Sequence, residues 1–281
     1  MTPLKVLDPT ERALADALGV NHPPADDNAR IVSLVPSITE LLFHLGLGDQ
    51  VVGRTSFCVH PEEAVSHVPR VGGTKEMRLD KLRELCPSHV IVNIDENRKQ
   101  DVDAIAEFTP HIIVTHPLVP DDNLALYRLL GGIFARQSAA QQLCEEFQRA
   151  RDALIDAAST LPLRRVLYLI WRDPWMTISR DTYISQTLAL VNWMTVCHDP
   201  ETRYPEVRAD ARLLADTDIV LFSSEPFPFK PAHVEEFRKC TGGTDTTCAF
   251  IDGQMTSWYG SRAVAGLRYL RELAGTLAPC G

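Results

Sequence analysis

The sequence has no run approaching the ~18–20 consecutive apolar residues that a bilayer-spanning helix needs. It has no cluster of Lys and Arg either. Its formal net charge is -9, whereas a nucleic-acid partner is normally met by a basic surplus or stripe. Phosphate-binding signatures are missing: there is no GxxxxGK[ST], and no GxGxxG after a strand. The esterase elbow GxSxG and the zinc-protease HExxH are also missing. Seven cysteines occur, an odd number, scattered from Cys58 to Cys280 with no CxxC. That pattern fits neither a zinc site nor a disulfide framework. It predicts reduced, mostly buried thiols and a reducing compartment. The opening stretch Met1–Asp27 carries Asp8, Glu11, Asp16, Asp26 and Asp27. It lacks the basic end, apolar stretch and small-residue cleavage site of a secretory signal. As it stands the chain is expected in the cytoplasm, or in the periplasm if it has been trimmed.

What is present is a repeating strand–loop–helix grammar. Ile31–Val35 reads as a buried strand, and the helix that follows has Ser37 and Glu40 at capping-box spacing. Ile38, Leu41, Leu42 and Leu45 recur along it at helical spacing before Gly46. The pattern returns as a strand at Val51–Gly53, a helix at Leu79–Leu85, a strand at His89–Ile94, a helix at Asn97–Phe108 and a strand at His111–Thr115. From about Asp121 to Ser159 the pattern is helical, with a break expected at Gly131-Gly132 and one long amphipathic helix over Gln137–Ala158. Alternation resumes with strands at Arg165–Trp171, Asp218–Ser223 and Ala249–Asp252, and helices at Thr182–Trp193, Pro231–Lys239 and Ser261–Ala274.

This alternation predicts an α/β fold: two Rossmann-like lobes with central parallel sheets, joined by one long backbone helix. The expected segments are a lead-in at 1–29, an N-terminal lobe at 30–120, a linking helical segment at 121–161 and a C-terminal lobe at 162–281. Ligands of open α/β sheets bind beyond the carboxyl ends of the strands. Facing lobes would line one cleft with those loops. The loops are rich in aromatic and cationic residues: Phe57, Cys58 and His60; Lys75; Glu96 and Arg98; Trp171 and Trp175; Glu225, Phe227 and Phe229; Trp258, Tyr259 and Arg262. Three of the four tryptophans fall there. Aromatic rings offer large contact area at low entropic cost, and Lys75, Arg98 and Arg262 suit carboxylates or phosphates. Such loops suit a sizeable, partly anionic ligand with a flat or apolar body.

Arg30-Ile31-Val32-Ser33-Leu34-Val35-Pro36-Ser37-Ile38-Thr39-Glu40 resembles the opening of the helical-backbone metal receptors. Val71-Gly72-Gly73-Thr74 followed by Leu79-Asp80-Lys81-Leu82 is similar to their second unit, and Asp16-Ala17-Leu18-Gly19 with Pro23-Pro24 to their lead-in. The likeness extends from about Asp16 to Leu277, and within the family it is to the vitamin B12-binding proteins of ABC importers. It implies a monomeric substrate-binding protein, not an enzyme, without an intrinsic cofactor, whose ligand is a cobalamin, haem or ferric chelate. It implies ligand contacts at Phe57, Trp258 and Arg262, and docking of an ABC-transporter permease by Asp80 and Asp210. From the loop chemistry, His60, Lys75, Arg98, Trp175, Phe229 and Tyr259 join the candidate ligand residues. The family generally has Glu at the docking positions, and the Gly pair usual after the helix near Val191-Asn192 is absent.

Plainer readings stand beside these. Asp80 and Asp210 are ordinary acids at helix starts, the tryptophans pack between lobes, and Glu225 and Asp252 pair with cations. Cys58 and His60 alone are too few for a stable metal site, and His44, His111 and His116 read as packed or surface residues. The alternative function is a cytoplasmic enzyme or accessory factor handling a metallophore or tetrapyrrole, with Cys58, His60, Glu96 and Glu225 as its acid–base or nucleophilic groups.

Overall fold

The computed structural model describes residues 14–73, 77–242 and 246–277. Lys75 and Cys280 lie outside that set. Two compact units emerge. Among the described residues, the first holds 14–117, 121–146 and 259–261, and the second 118–120, 147–258 and 262–277.

The first unit is built on strands β1 (Ile31–Ser33), β2 (Val51–Arg54), β3 (His89–Asn93) and β4 (His111–Thr115), all parallel in the order β2-β1-β3-β4. Its helices are α1 (Pro36–His44), α2 (Glu62–Ser66), α3 (Leu79–Glu84), α4 (Lys99–Ala106) and α5 (Asp122–Ile133). The strands read as unbroken apolar runs because a parallel sheet is covered on both faces. Val32, Val90, Val92 and Val114 meet Leu82 and Ile105 of the helices in one core cluster. Helix α1 starts with Pro36, whose missing N–H is no loss in a first turn. Its N-cap is Val35 with no side-chain bond, so the expected Ser37–Glu40 capping box does not form. The lead-in is fastened by Asp16. Its buried carboxylate accepts from the backbone N–H groups of Leu18, Val20 and Val114, and meets His22 Nε2 at 3.2 Å.

Helix α6 (Gln137–Ala158) runs from the first unit into the second, as the amphipathic pattern predicts. Leu143, Phe147, Ala150 and Leu154 on its apolar face are buried. The expected break at Gly131-Gly132 is corrected: both glycines lie inside α5, and the chain turns instead between Ile133 and Gln137. The pair serves close approach, since a Cβ on Gly131 would overlap that of Ala140, and one on Gly132 would overlap Leu14.

The second unit carries β5 (Arg164–Trp171), β6 (Met176–Thr177), β7 (Trp193–Thr195), β8 (Ile219–Ser223) and β9 (Thr247–Ile251). The order is β6-β5-β8-β9, with β7 also on β5; only β6 is antiparallel. The helices are α7 (Tyr183–Ala189), α8 (Ala211–Leu214), α9 (Pro231–Cys240), α10 (Gly253–Ser257) and α11 (Arg262–Thr276). Trp193, expected at a helix end, is a strand residue, because the chain leaves α7 and pairs Trp193 with Arg164 in parallel. Short elements β6, α2, α8 and α10 are too brief to show periodicity in the sequence. Among the described residues, no helix is long and apolar enough to cross a membrane. The six described cysteines are free thiols.

Candidate ligand-binding site

Both sheets have a topological switch point, where successive connections leave in opposite directions: between β1 and β3 in the first unit, and between β5 and β8 in the second. The crevice beyond the carboxyl ends of such strands is where open α/β sheets take ligands.

In the first unit the loop after β2 is stitched from beneath by Arg54. Its guanidinium donates to the carbonyl oxygens of Val65 (2.8 Å), Cys58 (2.9 Å) and Thr55 (3.3 Å). That leaves Phe57 57% exposed and Val59 43% exposed, with His60 half-buried beside them. Cys58 points the other way. It is buried, lies 3.1 Å from Thr55 Oγ1, and burial pushes its thiol pKa up, so it is a packed thiol and not an activated nucleophile. After β3, Asn97 ties the loop down by accepting from Asn93 N (2.8 Å) and donating to Leu34 O (3.3 Å). Ile94 is exposed there, as is Arg98 at the N-cap of α4.

The 259–261 segment belongs to this unit. Tyr259 is buried and its hydroxyl donates to Glu96 Oε1 at 2.6 Å. Burial, then the adjacent Glu96 carboxylate, hold its phenol pKa well above the usual range, so it remains a donor. Gly260 N donates to Asn123 Oδ1 (2.7 Å), and Tyr127 donates to Gly260 O (2.8 Å). Tyr259 therefore anchors a chain segment at the β1–β3 switch point.

In the second unit Trp258 is held on two sides. Its Nε1 donates to Glu225 Oε1 at 2.7 Å, and the Arg262 guanidinium lies 4.9 Å from its ring centroid, within cation–π range. Ser257 donates to the same carboxylate oxygen at 3.1 Å. Burial pushes the Glu225 carboxyl pKa up, against the lowering effect of the Trp258, Ser257 and Gln254 bonds. Glu225 and Asp252, expected to pair with cations, do otherwise: Glu225 positions the indole, and Asp252 caps α10 by accepting from Gln254 N and Met255 N. Trp171, ending β5, is 39% exposed. Trp175 and Phe229 stack at 5.9 Å within an aromatic core that includes Phe222 and Phe237; Phe229 is only 8% exposed. Arg172 grips Glu236 through two bonds of 2.9 and 2.8 Å.

Of the predicted ligand residues, Phe57 and His60 share one loop, while Trp258 and Arg262 form a stacked pair. Arg98 is exposed, and Tyr259, Trp175 and Phe229 are held by internal partners. Asp80 is exposed in the first turn of α3. Asp210 N-caps α8, accepting from Arg212 N and Leu213 N. Sequence reasoning did not single out Arg54, Asn123 or Tyr127. A buried arginine and a loop-anchoring asparagine carry no periodic signal. Among the described residues, no group of three or more His, Cys, Asp or Glu is placed to hold a metal ion.

The family model described as Periplasmic binding protein matches residues 31–244. The chain belongs to this family. This periplasmic binding protein is 25% identical over 197 residues to a vitamin B12-binding protein of Vibrio cholerae serotype O1, covering 70% of each chain. Its fold matches that of the periplasmic vitamin B12 binding protein BtuF of Vibrio cholerae with a TM-score of 0.75, at 17% identity over 88% of this chain and 96% of that one. It also matches the periplasmic heme-binding protein RhuT from Roseiflexus sp. RS-1 with a TM-score of 0.74, at 21% identity over 88% of this chain and 99% of that one. The family is one of solute-binding proteins, not enzymes, and the chain's function is ligand binding.

Proposed function

We propose that the protein is the solute receptor of an ABC importer and carries a metal-containing macrocycle or chelate, such as a corrinoid, haem or ferric siderophore, on its strand-end loops. The observation that carries this reading is the placement of large apolar side chains in water at the carboxyl ends of the strands: Phe57 and Val59 after β2, Ile94 after β3, Trp171 at the end of β5. Exposed apolar side chains grouped on one loop, as Phe57 and Val59 are, mark binding surfaces, and a flat macrocycle is the complementary shape. Arg98 and Arg262 supply cations for its acidic substituents. The names of the relatives, vitamin B12-binding and heme-binding, agree with that class. The periplasm, for which the family is named, is the compartment. Asp80 and Asp210 are the docking points for the permease, and the receptor works as a monomer.

Titration of intrinsic tryptophan fluorescence with cyanocobalamin, haemin and ferric siderophores tests this. Saturable quenching by one of them at micromolar concentration or tighter is expected. Trp258→Ala should weaken it at least tenfold, since a buried aromatic anchor contributes ~2 kcal/mol or more. Glu225→Leu, which removes the acceptor for the indole N–H, should weaken it by a smaller factor. Absence of saturable binding to all three would overturn the proposal.

A further inference from the structure

Among the described residues, the largest fully buried side chain is a cation. Arg54 is 1% exposed, and its three side-chain hydrogen bonds all go to backbone carbonyls of the loop and short helix that follow it. No carboxylate among the described residues pairs with it. A buried charge without a counter-charge is expensive, and an apolar side chain of similar volume would fill the same space at lower cost. Glu96, close enough to raise the Cys58 thiol pKa, is held by the Tyr259 hydroxyl at 2.6 Å and makes no bond to Arg54. Arg70, bridged to it in parallel and exposed, has the same sign. Glu62 and Glu63 are exposed on α2 and make no bond to it. The Cys58 thiol is buried and protonated.

We propose that Arg54 is a specificity-determining residue: it fixes the Phe57 loop from beneath and gives that loop's exposed face a positive potential that selects ligands bearing a carboxylate or phosphate. The geometric part follows from the planar guanidinium fork, which reaches carbonyls on both sides of the loop as a lysine ammonium cannot. The electrostatic part follows from the low effective dielectric around a buried charge, which is poorly screened by salt. The ligand-selection part rests on the receptor reading above; the potential itself does not.

The experiment has two arms. In the first, Phe57→Cys places a thiol on the exposed face, and its acidity is read from the pH dependence of alkylation. Peptide-resolved mass spectrometry separates it from exposed Cys86 and Cys240. The thiol is expected to titrate below the ordinary cysteine value of about 8.5. Adding Arg54→Met should raise it by roughly half a unit to one unit. A Phe57→Cys thiol at or above the ordinary value overturns the proposal even if the methionine variant fails to fold. In the second arm, the unaltered protein is titrated with cyanocobalamin and with its monocarboxylic acid, in which a carboxylate replaces one side-chain amide. If the corrinoid is not taken up, haemin and its diamide replace that pair. The more acidic member should bind roughly three- to tenfold tighter, and Arg54→Met should erase the difference, whereas equal affinities in the unaltered protein overturn ligand selection. If no macrocycle binds at all, the receptor reading fails, and the thiol arm alone decides the role of Arg54.

Discussion

Acidification from neutral pH to about 4 is expected to remove about 3 kcal/mol of folding stability through one residue, His89. His89 opens β3, is 4% exposed, and its Nε2 is buried with no hydrogen-bond partner. Nδ1 lies 2.9 Å from Ser88 Oγ. The ring stacks on His111 at 4.8 Å and packs edge-on against Phe134 at 5.1 Å. Burial first, then the neighbouring His111 and His22, lower its pKa to about 4, against the opposing pull of Asp26. In the unfolded chain a histidine titrates near 6.5. Between those values the unfolded state binds the extra proton, so stability rises with pH across that window and is fully present above it. Asp16, whose bonds to His22 and three backbone N–H groups outweigh the effect of burial, is held below the usual carboxylate range and acts only at lower pH. Urea denaturation at pH 4.5, 5.5 and 7 checks this. His89→Leu should be less stable at neutral pH yet show a flatter pH dependence. An unchanged slope in that variant would show that another group carries the effect.

Gly266→Ala is expected to destabilise the second unit by about 2–3 kcal/mol, in the range of overpacking a tight contact. Gly266 lies on the buried face of α11, and an added Cβ there would overlap the backbone carbonyl of Met255 in α10. A backbone oxygen cannot rotate aside, so one of the two helices must shift. Both flank Trp258, which closes α10, and Arg262, which opens α11. The substitution should therefore weaken macrocycle binding as well as lowering the melting temperature. Calorimetry and the fluorescence titration, run on the same variant, measure both effects. Gly275→Ala, in the same helix with open space around the glycine, serves as the control and should lower neither, with a melting temperature equal to or slightly above that of the unaltered protein.

The long elements were legible in the sequence because their burial imposes a period. His111–Thr115 and Gln137–Ala158 match residue for residue, and the run of β-branched residues in β1 and β3 follows from a sheet covered on both faces. Gly131-Gly132 misled because glycine weakens a helix in isolation, whereas here tertiary contact with Ala140 and Leu14 requires the missing Cβ. At the strand ends, residue type does not disclose which partner holds a side chain. Trp258 and Arg262, both expected as ligand contacts, stack on each other, a pairing that their spacing in the sequence does not announce. Phe229 and Trp175 follow strand-end loops in the sequence, and the aromatic core draws them inward. Tyr259 was placed in a loop; its bond to Glu96, 163 positions away, has no local signature.

The most direct test of the central claim is amide hydrogen exchange with and without saturating macrocycle, the ligand being whichever of cyanocobalamin, haemin or a ferric siderophore binds. Protection is expected to be confined to the strand-end segments 55–61, 94–98, 171–175, 224–229 and 258–262, with the ligand recovered chemically unchanged. Protection centred on the opposite ends of the strands, around His89, His111 and Arg164, or recovery of an altered ligand, would contradict it.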